Sequence, residues 1–326
     1  MSTVQHARTG RILAVPSHVV GGTCQLTVVV TSYCGANRIP RTLDSLEAQT
    51  YDAARFEVLV VTNGPDDGTE ALIRTRARTS RLLIRLISTP TCGIANARNL
   101  GIHAARGEYI AWVDDDDWVS PSYVETMLRH ASPQTVVLPI FGDVDGECPS
   151  AVAFSNWVNR RVLRHTGQVI PFTELATAAS FDAGKVVATA IARTVPYDTE
   201  LSSGLDVVYW ATVFLHHGLS VTVPPLQAHA VYYRRVRVGS ISRSIDEKFC
   251  SDRLLCIERL EQLKTGTRSE DRFIQVLQRG QASHLSMAAA SGDRGELIHA
   301  EHPHDLAPDF QHQDLDRDSA TDVVSD

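Results

Sequence analysis

Apolar residues in this chain fall first into short unbroken runs and then into stretches where they recur every three or four positions. The first kind of run reads as a strand and the second as one face of a helix. Leu26-Thr27-Val28-Val29-Val30 is a buried-type strand. Pro40 suits the first turn of the helix that follows, whose apolar face is Ile39, Leu43 and Leu46. The alternation then repeats: a strand over Phe56–Val61, a turn at Asn63-Gly64-Pro65, a helix near Thr69–Arg78 and a strand near Leu82–Ile87. A helix near Ile94–Ala105 leads into the strand Tyr109–Val113. Strands alternating with helices imply a parallel sheet with right-handed crossovers.

The second half is less regular. Ser120-Pro121 reads as a helix cap with a first-turn proline, and Thr135–Ile140 as one strand. Residues 142–185 look irregular, with Trp157 and Phe172 set among polar residues. A helix over Leu205–His217 should stop at Gly218, and strands near Leu219–Val223 and Ala228–Arg235 should flank Pro224-Pro225. Two helices, Asp246–Lys264 and Arg272–Ala290, follow. The expected organisation is a flexible arm over 1–24, one α/β domain in two halves (25–118 and 119–245), C-terminal helices over 246–300 and a disordered acidic tail over 301–326.

Composition narrows the function classes. The apolar fraction of 43% supports a real core, and the net charge of −7 argues against a nucleic-acid or anionic surface partner. Lysine stands only at 185, 248 and 264, so arginine carries most of the positive charge. The six cysteines form no CxxC pair, which suits free thiols in a reducing cytoplasm. No apolar stretch reaches the ~20 residues of a membrane span, so the expectation is a cytoplasmic protein, with peripheral attachment at the inner membrane face left open.

The chemistry is concentrated in Asp114, Asp115, Asp116 and Asp117, which emerge at the C-terminal edge of the Tyr109–Val113 strand. Open α/β sheets bind ligands at that edge. Crowded carboxylates repel, and a hard divalent cation shared with a phosphate neutralises them. A calcium loop fits poorly, because Trp118 and Val119 stand where a ligand and a glycine are needed. A phosphatase pairing of Asp115 with Asp117 lacks a partner lysine that can be placed. The run therefore points to a nucleotide-diphosphate site using Mg²⁺ or Mn²⁺. A second acidic turn, Asp143-Val144-Asp145-Gly146, reads as an ordinary surface turn.

Taken together, four segments resemble the family 2 glycosyltransferases of the GT-A fold. They are Thr27–Tyr33, Val60–Thr69, Gly93–Gly101 and Gly107–Val113 running into the aspartates; a weaker likeness continues through Ser203–Asp206 and Tyr232–Arg243. The resemblance implies a Rossmann-like, mixed but mostly parallel sheet flanked by helices, with a C-terminal helical extension. It also implies a nucleotide-diphosphate sugar donor, a UDP-sugar as first choice with the base open, and a hydroxyl acceptor such as a glycan, a lipid-linked sugar or a small metabolite. By the same resemblance Asp116 is a metal ligand with Asp114, and Asp114 and Asp115 approach ribose and metal. Thr31 and Tyr33 line the nucleotide pocket, Arg98 serves the diphosphate or base, and the Ser240–Arg243 loop closes over the diphosphate. Asp206 is the base of an inverting transfer. Two departures stand out: Thr62, with Asn63 beside it, occupies the place of a base-gripping acid, and Leu205 precedes Asp206 where the family often has glutamate. The rivals are a nucleotidyltransferase on a related fold, which would open on a glycine-rich phosphate loop absent after Val30, and a silent sugar-nucleotide-binding protein.

Overall fold

The structure is a computed structural model, and it describes residues 11–13, 23–145, 152–236 and 246–292. In chain order its strands are β1 (Arg11–Leu13), β2 (Leu26–Ser32), β3 (Phe56–Asn63), β4 (Leu83–Thr89), β5 (Tyr109–Trp112), β6 (Trp118–Val119), β7 (Thr135–Val137), β8 (Ile140–Asp145), β9 (Val152–Ala153), β10 (Val169–Pro171), β11 (Val186–Ala188), β12 (Ser220–Thr222) and β13 (Val231–Val236). The helices are α1 (Ile39–Glu47), α2 (Thr69–Thr79), α3 (Ile94–Ala104), α4 (Tyr123–His130), α5 (Trp157–Val162), α6 (Ala176–Ala179), α7 (Thr189–Ala192), α8 (Leu205–His217), α9 (Glu247–Gln262) and α10 (Arg268–Gly292).

Nine strands make the main sheet, in the order β1-β4-β3-β2-β5-β11-β7-β12-β10. The pairs β4–β3, β3–β2, β2–β5 and β7–β12 are parallel, and the others are antiparallel. The central strands are unbroken apolar runs because helices cover both faces, so Val28, Val30, Val58, Val60 and Ile110 lie at zero exposure. From β2 the chain winds one way to β3 and β4, then returns to place β5 on the other side of β2. That reversal of strand order opens a crevice at the C-terminal ends of β2 and β5, the usual ligand position of such sheets. The two halves expected from the sequence share this sheet, since β7, β10, β11 and β12 come from the second half.

A smaller sheet, β6-β13-β8-β9, stands beside the crevice and begins directly after the aspartates. The expected single strand over Thr135–Ile140 is divided between the two sheets. The Leu138 N–H bonds to Thr222 O, the Ile140 N–H bonds to Ala230 O, and Pro139 between them has no N–H to give. Ser120-Pro121 does not cap α4, which starts at Tyr123. Instead the Ser120 hydroxyl donates to His229 O and accepts from the Val231 N–H, tying β6 to β13. Residues 142–185 are more ordered than their pattern suggests and contain β9, α5, β10 and α6. The fully buried Asn159 holds part of this segment, donating to Phe141 O and Phe154 O and accepting from Phe141 N. The segment expected as a loose arm supplies edge strand β1, paired antiparallel with β4. The C-terminal helices pack on α8 through Phe273, whose ring centroid is 4.8 Å from that of Phe172, itself 5.2 Å from Phe214. Among the described residues no helix is long and apolar enough to cross a membrane, and five unpaired cysteines are present. The acidic tail lies outside the described residues.

Candidate active site

The four aspartates turn alternately inward and outward. The Asp117 N–H bonds back to Asp114 O at 3.2 Å, making a tight turn at the mouth of the crevice. Asp115 and Asp117 are buried at 7% exposure each. The Asp115 carboxylate accepts from Ser32 Oγ at 2.6 Å, Arg38 Nη2 at 2.9 Å and Arg38 Nε at 3.2 Å. It therefore staples the end of β2 and the start of α1 to the aspartate turn. Asp117 accepts the Arg235 N–H at 2.8 Å, fixing β13. Thr42 Oγ1 donates to the carbonyls of both Asp115 and Asp117. Asp114 and Asp116 are the half-exposed members that face out of the turn.

Electrostatics reflect this crowding. Burial pushes Asp114 up to about 6, Arg98 pulls against it, and Asp116, Asp182 and Asp115 add to the rise. Burial, then Asp114 and Asp116, raise Asp117 well above the usual carboxylate range. Four crowded carboxylates outnumber Arg38 and Arg98, which pair with Asp115 and Asp114, and such a surplus of oxygen donors fits a hard cation. Among the described residues there is no group of three or more His, Cys, Asp or Glu able to hold a metal ion. Asp114 and Asp116 are the less buried members of the turn, and a cation held by few carboxylates takes its remaining ligands from substrate phosphates and water.

Arg98 links the turn to the other side of the crevice. It lies on α3 at 6% exposure, pairs with Asp182 Oδ2 at 2.5 Å and reaches Asp114 Oδ1 at 3.5 Å. Asp182 also accepts from Tyr197 Oη at 2.6 Å and Trp210 Nε1 at 2.7 Å. Asp206 begins α8 after Gly204, whose φ of +77° is a left-handed value that glycine adopts without strain. Its own carboxylate accepts the Val207 N–H at 3.0 Å. Burial and Asp182 raise Asp206, while Arg98, Arg253 and Lys185 pull it down. Arg98 thus joins Asp114 to Asp182, and Trp210, one helical turn after Asp206 on α8, donates to the same Asp182 carboxylate.

A second cleft opens beside the ends of β2 and β3, lined by Ser32, Cys34, Thr62, Asn63, Asp67 and Glu70. The side chains of Thr62 and Asn63 are committed within the protein. Asn63 donates to Ser32 O at 3.2 Å and accepts the Gly93 N–H at 3.2 Å, while Thr62 Oγ1 approaches Ile87 O at 3.4 Å. Asp66 and Asp67 bring carboxylates to this cleft, and so does Glu70 on α2, whose Oε1 accepts from Ser88 and lies 3.5 Å from Thr62 Oγ1 while its Oε2 pairs with Arg74 at 3.0 Å. Tyr33 is 52% exposed, and its ring leaves no room for a side chain at Gly64, where an added Cβ would meet Cε2 at 2.5 Å. Thr31 is half-buried one residue before the end of β2. Ser240 and Arg243 lie outside the described residues.

Arg38, Glu70, Asp182 and Lys185 had no signature in the sequence. Asp182 and Lys185 sit in the segment without a clear period, and Arg38 and Glu70 look like ordinary helix-start residues.

Comparison with known proteins gives a consistent picture. Residues 27–182 match the profile of Glycosyl transferase family 2. EpsH of Bacillus subtilis is 36% identical over 110 residues, which is 34% of this chain and 31% of that protein. Glycosyltransferase GlyA of Streptococcus pneumoniae is 31% identical over 105 residues, 32% of this chain and 15% of that protein. The matched part is therefore under a third of either relative. Among solved structures, S. aureus TarS 1–349 in complex with UDP-GlcNAc superimposes with a TM-score of 0.64 at 20% identity, covering 84% of this chain and 76% of the other. The mannosyltransferase PcManGT of Pyrobaculum calidifontis, in complex with GDP-Man and Mn²⁺, gives 0.57 at 18% identity, covering 86% and 78%.

Proposed function

We propose that this chain, whose residues 27–182 match the family 2 glycosyltransferases, moves a sugar from a nucleotide-diphosphate donor to a hydroxyl acceptor with inversion. The observation that carries the reading is the connected group Asp114–Arg98–Asp182 with Asp206 beside it, which joins a diphosphate-metal edge to a carboxylate at a helix start.

Asp116 and Asp114 would hold a divalent cation, Mn²⁺ or Mg²⁺, which supplies charge neutralisation for the departing diphosphate when bound. Arg98 adds a fixed positive charge at the same edge. Asp206 takes the proton from the acceptor hydroxyl as its oxygen attacks the anomeric carbon on the face opposite the leaving group. The nucleobase sits in the cleft beside β3, with Glu70 supplying the carboxylate that Thr62 lacks; a base bearing an N–H toward that wall, such as uracil, suits it. TarS with UDP-GlcNAc and PcManGT with GDP-Man and Mn²⁺ support a nucleotide-sugar donor and a metal on this fold. Asp115 and Asp117 act as scaffold, holding β2, α1 and β13 to the turn.

The test is release of nucleoside diphosphate from a panel of nucleotide sugars, with and without acceptor and Mn²⁺. Asp116→Ala should abolish acceptor-dependent release while keeping the melting temperature. Full turnover in that variant, or in the parent protein with excess EDTA, would remove the metal from the proposal.

A further inference from the structure

Lys185 is a lysine in a place built for an apolar side chain. It has zero exposure, and its Nζ has no hydrogen-bond partner among the described residues. The ammonium lies 4.4 Å from the ring centroid of Trp210 and 4.6 Å from that of Phe181. A methionine would fill the same space without the cost of desolvating a charge. Cation–π contact offsets part of that cost, but the position gains nothing in packing from being charged. What surrounds it explains the charge better.

A tight turn sets the geometry. The Lys185 N–H bonds to Asp182 O at 3.3 Å and the Gly184 N–H bonds to Trp112 O at 2.9 Å. Gly184 has φ +66°, and an added Cβ would meet Tyr232 Cδ2 at 2.6 Å and Pro139 Cγ at 2.9 Å. Asp182 and Lys185 both meet Trp210 of α8: the indole Nε1 donates to Asp182 Oδ1 at 2.7 Å and its ring faces the Lys185 ammonium, one helical turn after Asp206 on the same helix. The charged groups facing Lys185 are Asp182, Asp206 and Arg98. Those facing Asp206 are Asp182 from the same turn, Arg98 from α3, Arg253 from α9 and Lys185, with the Cys256 thiol of α9 also within range.

Two carboxylates in one buried space do not both stay ionised without counter-charge. Asp182 is secured by Tyr197, Trp210 and Arg98. Arg98 is divided between Asp182 and Asp114, and Arg253 is occupied by Ser203 and Gln281. We propose that Lys185 is a positioning residue for the transfer step: its ammonium, clamped between Phe181 and Trp210, holds Asp206 in the ionised, proton-accepting form beside Asp182. The inference rests on the reading of Asp206 as the base.

The experiment is the pH profile of kcat for the parent protein, Lys185→Met, Lys185→Arg and Asp206→Asn, with nucleoside diphosphate binding measured on each. Removing a neighbouring cation from a carboxylate moves its ionisation upward, by about one pH unit or more. Lys185→Met should therefore shift the acid limb up by about one unit and lower kcat on that limb roughly tenfold, with nucleotide affinity and donor KM unchanged. Lys185→Arg, which keeps the charge, should leave the limb in place. A Met variant with the parental acid limb, or one whose loss is equal at every pH, overturns the proposal. So does failure of both variants to fold, which would assign the lysine to stability. If Asp206→Asn stays active the base reading itself falls; if that variant is inactive while Lys185→Met behaves as the parent, the lysine inference alone falls.

Discussion

Replacing Asp115 by alanine should cost stability rather than metal dependence. Its carboxylate accepts three bonds, from Ser32 at 2.6 Å and from Arg38 at 2.9 and 3.2 Å. The side chains of the pair are 9% and 22% exposed. Breaking a fully buried ion pair by removing one partner costs about 3–5 kcal/mol. Arg38 is partly solvated and can recover water, and it keeps its bonds to Tyr33 O and Cys34 O, so the lower figure of about 2–3 kcal/mol is expected. For a domain of this size that lowers Tm by roughly 4–8 °C. The loop from Tyr33 to Arg38 should loosen with it, weakening nucleotide binding because Cys34 lines the cleft. Gly35→Ala should reproduce the phenotype, since a Cβ there would run into Ser32 Oγ and the Asp115 carboxylate. The assay is thermal denaturation of Asp115→Ala beside Asp116→Ala, with Mn²⁺ titrated into turnover for each. If Asp115→Ala keeps the parental Tm and loses its response to metal, Asp115 is a ligand and its assignment as scaffold is wrong.

Other outcomes follow from the same geometry. Asp206→Asn keeps the shape of the side chain but cannot take a proton; turnover should fall roughly 10²–10⁴-fold with nucleotide affinity intact, and an active variant would move the base elsewhere. Glu70→Ala removes the carboxylate of the base cleft and should weaken nucleoside diphosphate binding roughly tenfold, the worth of one charged hydrogen bond; unchanged affinity in calorimetry would place the base elsewhere. Burial, opposed by Asp182 and Asp206, lowers Lys185 from 10.5 to about 7, so the unfolded chain binds more protons between those values and stability gains with pH across that window. The stability of the parent relative to Lys185→Met should therefore rise between roughly pH 7 and 9.5, and parallel denaturation midpoints over that range would show that the lysine does not titrate there.

How much of this was legible beforehand depended on distance along the chain. The central strands were, because a strand covered on both faces must be a continuous apolar run, as Val28–Val30 and Val58–Val61 are. The aspartate turn was also legible, because four adjacent carboxylates after such a run are costly without a cation. Short elements were not. The sheet change at Pro139, the ties of Ser120 and the stitching by Asn159 depend on partners far away in sequence, and a six-residue helix such as α5 has too few turns to show a period.

The sequence by itself determined the fold class, the crevice edge and the residue types of the chemistry, since these rest on local periodicity and on charge density within a few residues. The tertiary structure decided how those residues are arranged. Alternation in the turn leaves Asp114 and Asp116 facing out and turns Asp115 toward Arg38 and Asp117 toward the β13 backbone. Packing of α8 against the turn before β11 sets Trp210, one helical turn after Asp206, against both Asp182 and Lys185, from positions separated by up to 28 residues. Protonation and charge balance in such a group depend on through-space distance and burial, which no linear pattern encodes.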